Sequence, residues 1–137
     1  MSKVKLLVAL AVLAVAFAAT ACNVSVNVST ANIRSATLSP NESGSPATTV
    51  FKQDDYTVYC LADLANAPDS TVVKAVWTAV DVEGVDANTV IDEASVTGGD
   101  ADLTFDLTNS KPWPLGKYKV DLYINDKFNR TLEYQVK

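Results

Sequence analysis

From Tyr56 onward the chain alternates apolar and polar residues, and this alternation narrows the fold more than any other feature. In "ADLTFDLT", Leu103, Phe105 and Leu107 alternate with Asp102, Thr104 and Asp106. Successive side chains of an extended strand point to opposite faces, so this pattern buries one face and wets the other only as a β-strand. "KYKVDLYI" directs Tyr118, Val120, Leu122 and Ile124 one way and Lys119, Asp121 and Tyr123 the other. In "DYTVYCLADL", Tyr56, Val58, Cys60, Ala62 and Leu64 share the face expected to meet the core. "STVVKAVWTAV" places Thr71, Val73, Ala75, Trp77 and Ala79 together, while Val72, Val76 and Val80 make its other face apolar too. Such a strand is expected to be central or covered on both sides. No stretch after the first 21 residues keeps helical periodicity over a useful length.

The last two strands form a hairpin. Asn125-Asp126 follows "KYKVDLYI", and both residue types tolerate the positive φ that a tight hairpin turn requires. "FNRTLEYQV" returns with Phe128, Arg130, Leu132, Tyr134 and Val136 on one face. Two prolines and a glycine in "SPNESGSP", Ser39 to Pro46, mark a surface connection. Adding Ile33 to Leu38 and a weaker strand near Thr89 to Val96 gives about seven short strands within about 100 residues. The prediction is an all-β, immunoglobulin-like sandwich over residues 33–137.

The first 21 residues follow another logic. Lys3 and Lys5 precede an unbroken apolar run of 14 residues, Leu6 to Ala19, and small residues lead up to Cys22. A basic start, a short apolar middle and a small-residue cleavage site are the layout of an export signal. A spanning helix needs about 20 apolar residues, so removal is expected rather than retention. Ala19-Thr20-Ala21-Cys22 resembles the bacterial lipobox, with Ala19 where that pattern usually has Leu. The resemblance implies that Cys22 becomes the acylated first residue of an exported, membrane-anchored lipoprotein facing the periplasm or cell surface. Several acyl chains would make the anchor durable, since a single chain holds only marginally. The competing reading pairs Cys22 with Cys60 in a disulfide, which an oxidising compartment permits. Residues 22–32, including "NVSVNVSTAN", lack large apolar groups and are expected to form a tether, with a first edge strand as the alternative.

Losing Lys3 and Lys5 leaves 9 basic residues against 16 acidic ones, a net charge of −7 in place of −5. Such a surface repels phosphate backbones, so nucleic acid is not expected as a partner. The membrane, through the anchor, and a protein or glycan of the envelope are.

"KPWPLGKYKVDLYIN" carries a second resemblance. Trp113-Pro114-Leu115-Gly116 suits a tight turn, and Tyr118-x-Val120 opens the next strand. The run is similar to immunoglobulin-like and fibronectin-type domains, including small ones in bacterial envelope lipoproteins. In those domains a tyrosine near the start of the penultimate strand returns its hydroxyl to the backbone. Val120 stands where antibody domains carry their second cysteine, so the resemblance implies a sandwich held by packing alone. Cys60, Trp77, Phe105, Tyr118 and Val120 are its expected core residues.

Nothing commits the chain to a reaction. It contains no histidine, which removes the commonest general base and the usual zinc ligand. Cys60, facing the core, is expected to be an inert thiol. Eight acidic residues and no base lie between Lys74 and Lys111. Of these, Asp81, Glu83, Asp86, Asp100 and Asp102, in "DVEGVD" and "GGDAD", are weak calcium candidates if the two loops meet at one end of the sandwich. Solvated turns are the simpler reading, and no cofactor is expected. A glycosidase carboxylate pair would require a deep cleft that a small sandwich seldom has. Trp113, Tyr123 and Tyr59 are the candidate surface aromatics for stacking on a sugar or anchoring a protein. The expected function is a non-catalytic binding or structural module, with a carbohydrate-binding module as the alternative.

Overall fold

The computed structural model describes residues 29–137. The export signal, Cys22 and most of the tether lie outside the described residues. Eight strands follow in order: β1 (Asn32–Ser39), β2 (Val50–Phe51), β3 (Thr57–Ala65), β4 (Val72–Val82), β5 (Thr89–Thr97), β6 (Ala101–Thr108), β7 (Gly116–Ile124) and β8 (Lys127–Val136). They build an all-β sandwich of a three-stranded sheet, β1-β3-β6, and a five-stranded sheet, β2-β8-β7-β4-β5. Strand β2 accounts for the excess over seven. It is two residues long and pairs parallel with the end of β8, too short to leave a periodic trace in the sequence.

The alternation places the core as expected. Val58, Cys60, Ala62 and Leu64 from β3 and Leu103, Phe105 and Leu107 from β6 face Val73, Ala75, Trp77 and Ala79 from β4 and Tyr118, Val120, Leu122 and Ile124 from β7, all buried. Val120 sits opposite Trp77 in the β4–β7 ladder, and both are buried. Aromatic rings thread one end of this core. Tyr134 stacks on Tyr118 at 5.2 Å and meets the edges of Phe51 at 5.3 Å and Trp77 at 6.4 Å, while Trp113 meets Tyr118 at 6.0 Å. The Tyr118 hydroxyl donates to the Pro114 carbonyl at 2.6 Å, fastening the start of β7 to the turn before it. Gly116 is indispensable to that turn: its φ is +149°, and a Cβ would fall 2.3 Å from the Asp81 carbonyl oxygen.

Two local readings change. Tyr56 lies just before β3 and is exposed, because the core-facing alternation starts at Val58. The β7–β8 turn does use positive φ, 49° at Asn125 and 65° at Asp126, but a bulge follows in the β7–β8 ladder. Tyr123 pairs with Phe128 and Leu122 with Arg130, so Asn129 is the extra residue. One extra residue reverses side-chain facing. Phe128 is therefore 61% exposed on the outer face, away from Tyr134 and Val136. Of the two alternatives for β4 the structure has the first: the strand is central, between β7 and β5, and its outward Val72, Val76 and Val80 are half-buried.

Candidate functional surface

The candidate aromatics do not converge. Trp113 is 5% exposed and belongs to the core. Its backbone N–H donates to the Gln53 carbonyl at 2.9 Å, and Gln53 Nε2 donates to the Trp113 carbonyl at 3.0 Å, which clamps the backbone so that the ring packs against Tyr118, its indole N–H without a partner among the described residues. Tyr59 lies on the outer face of the three-stranded sheet, opposite Asp106, and Tyr123 on the outer face of the five-stranded sheet. Those two faces are on opposite sides of the sandwich.

The calcium candidates are separated as well. Strands β4 and β5 are antiparallel, with Val72 opposite Thr97 and Ala79 opposite Thr89. Asp81, Glu83 and Asp86 therefore gather at one end of the sandwich, and Asp100 and Asp102 at the other, some ~25 Å apart at the usual rise per residue. Asp100 is engaged locally, accepting the Ala67 N–H at 2.7 Å. Among the described residues no group of three or more potential metal ligands forms.

The most structured surface is the outer face of the five-stranded sheet. Tyr123 and Phe128 meet edge to face at 5.9 Å, brought together by the bulge. Lys74, across the ladder from Tyr123, places its Nζ 5.0 Å from the Tyr123 ring centre and 3.8 Å from Asp126 Oδ1. Further along β7, Asp121 is 8% exposed yet satisfied. It accepts from the Thr131 hydroxyl and pairs with Lys119 Nζ at 3.2 Å. Beyond it lies an open groove of about 630 Å³ bordered by Val50, Val80, Lys117, Glu133 and Gln135. Glu133 is the one carboxylate on that groove. Phe128 and Lys74 were not foreseen as surface partners of Tyr123, since a one-residue bulge leaves no mark in the residue pattern.

One buried thiol and two buried phenols are held neutral. Burial pushes the Cys60 thiol up to about 12, and Cys60 is free. Burial likewise pushes the Tyr118 phenol up to about 12. Tyr134 is raised by burial and, secondarily, by Tyr118. None of the three is poised for acid–base or nucleophilic work near neutral pH.

No family model and no curated protein matches the sequence. Among solved structures, the fold is similar to part of an alkylpurine DNA glycosylase from Pseudomonas fluorescens, bound to DNA containing an abasic site analog. The TM-score is 0.52 at 13% identity, over 81% of this chain and 31% of that one. It is also similar to part of a mutant β-glucosidase from Listeria innocua in complex with laminaribiose. There the TM-score is 0.51 at 13% identity, over 79% of this chain and 16% of that one. This chain thus spans less than a third of either protein, and at such identity the likeness concerns the fold alone.

Proposed function

We propose that the protein is a non-catalytic, lipid-anchored component of a bacterial cell envelope, its sandwich serving as a binding or structural module at the membrane surface. The observation that carries this reading is the position of Cys60. It is sealed in the core with no exposed surface, so the thiol of Cys22 has no accessible partner in the folded domain to compete with acylation. The lipobox-like end and the short tether supply the rest of the anchor. Against catalysis weigh the lack of histidine, the neutral buried thiol and the single carboxylate on the outer-face groove.

Fractionation of cells expressing the full-length chain tests the anchor. Wild type is expected with membranes and Cys22→Ser in the soluble fraction. Equal membrane association of both would refute the reading.

The exposed Phe128 and half-buried Tyr123 beside Lys74 favour a glycan as the second kind of ligand, because aromatic faces stack on sugar rings. A glycan array on which wild type and Phe128→Ala give the same blank would remove that alternative.

A further inference from the structure

Each sheet has two edge strands, β1 and β6 in one and β2 and β5 in the other, and β5 and β6 lie on the same side of the molecule. Strand β5 is unusual even for an edge. All nine of its residues are exposed, on both faces, with Val90 at 57%. The facing sheet ends at β6 and does not reach beneath it. Its outer margin has no neighbouring strand, and at mid-strand the Glu93 N–H is capped by the Asp92 side chain at 2.9 Å, a bond that an added strand would have to replace. A row of free N–H and C=O groups on a long edge is a template for another strand.

Charge decides which strand. Asp92 and Glu93 sit at the middle of β5, Asp81, Glu83 and Asp86 at one end, and Asp100 and Asp102 past the other. All are exposed, and among the described residues none forms an ion pair. The base nearest β5, Lys74, lies opposite Ser95 but is directed to Tyr123 and Asp126. A second copy is a poor occupant. Any antiparallel β5–β5 pairing that overlaps most of the strand clusters four carboxylates at its centre, and like charges facing one another across a ladder are destabilising. The Ile91 bulge, between the pairs Trp77–Asp92 and Thr78–Val90, further spoils a flat self-pairing. The same carboxylates attract a strand of opposite sign, while Val90, Ile91 and Val96 offer it apolar contact.

We propose that the free edge of β5 is a docking edge for an extended, cationic segment of a partner protein, which adds to the five-stranded sheet as a sixth strand. This deepens the reading of the domain as a binding module and is independent of the anchor at Cys22. Asp92, beside Trp77, and Glu93, beside Val76, lie on opposite faces of β5, so main-chain pairing supplies affinity and two adjacent lysines or arginines of the partner, one on each face, supply selectivity.

The test uses the full-length chain in detergent and two synthetic nine-residue peptides of valine and threonine, one with a central Lys-Lys pair that presents a lysine on each face of the strand and one with Glu-Glu in its place. The lysine peptide is expected to bind, to slow amide exchange over Val90–Thr97, and to weaken as salt rises. The glutamate peptide is expected not to bind. Replacing both carboxylates, Asp92→Lys with Glu93→Lys, should cost the lysine peptide about tenfold in affinity and admit the glutamate peptide. These positions are exposed, and near-ultraviolet circular dichroism from Trp77 verifies that the variant is folded. No binding of the lysine peptide, binding unchanged by the double reversal, protection outside β5, or self-association through β5 in sedimentation would each overturn the proposal. Because the anchor is scored separately by fractionation, a failure here leaves that result standing.

Discussion

Two stacked tyrosines are predicted to respond in opposite directions to the loss of one oxygen atom. Tyr118 and Tyr134 are both buried, with ring centres 5.2 Å apart. The Tyr118 hydroxyl donates to the Pro114 carbonyl at 2.6 Å, whereas the Tyr134 hydroxyl finds no partner among the described residues. Tyr118→Phe keeps the ring against Trp113 and Tyr134, so the packing contribution barely changes. What is lost is one hydrogen bond, with its acceptor left half-buried, a cost of about 2 kcal/mol. For a domain of about 110 residues each kcal/mol moves Tm by roughly 4 °C, so Tm should fall by about 8 °C. Tyr134→Phe removes a buried hydroxyl that has no partner, and should leave Tm unchanged or raise it by up to about 4 °C. Thermal and urea unfolding of both variants by circular dichroism measure this. If Tyr118→Phe is neutral, or if both variants fall equally, the hydroxyl does not fasten the turn and the reasoning fails.

Three further outcomes follow from the core. Trp77→Ala should cost about 3 to 5 kcal/mol in urea unfolding, since the ring is fully buried between the sheets and leaves a cavity that neighbours cannot fill. Gly116→Ala should prevent folding, or cost at least about 3 kcal/mol, because its Cβ would meet the backbone of Asp81 and Val82; a folded variant of wild-type stability would contradict the turn geometry. Cys60 is raised from 9.0 to about 12 by burial, so its contribution to stability is complete below pH 9 and declines as pH rises towards 12. In pH-dependent unfolding the alkaline loss should begin near pH 9 in wild type and nearer 10, where the tyrosines take over, in Cys60→Ala. The native thiol at position 60 should also react with a thiol reagent only at the rate of unfolding.

The sheets were legible because a period of two specifies which residues a strand buries, and Leu103, Phe105, Leu107, Val120 and Trp77 all fall where that period puts them. The turn was legible too, since Pro114 and Gly116 each suit one backbone position, whereas the return of the Tyr118 hydroxyl to the backbone came from the resemblance to fibronectin-type domains. What escaped depends on one-residue events or on the third dimension. The Asn129 bulge turns Phe128 outward, and nothing in the composition of "FNRTLEYQV" records it. Trp113 reads as a surface aromatic beside two prolines, yet a backbone clamp from Gln53, 60 residues away, draws it into the core. The loops "DVEGVD" and "GGDAD" are neighbours in charge but not in space, because β5 runs the length of the sandwich between them. Strand β5 itself looks weak in sequence for the reason that makes it interesting: it has no buried face to alternate against.

Intact-mass spectrometry of the protein purified from membranes is the most direct test of the account. A mass equal to the chain from Cys22 to Lys137 plus diacylglyceryl and fatty-acyl groups, with one titratable thiol left on unfolding, is the predicted result. A chain of that length two hydrogens lighter and carrying no lipid, its two sulfurs joined, would contradict it.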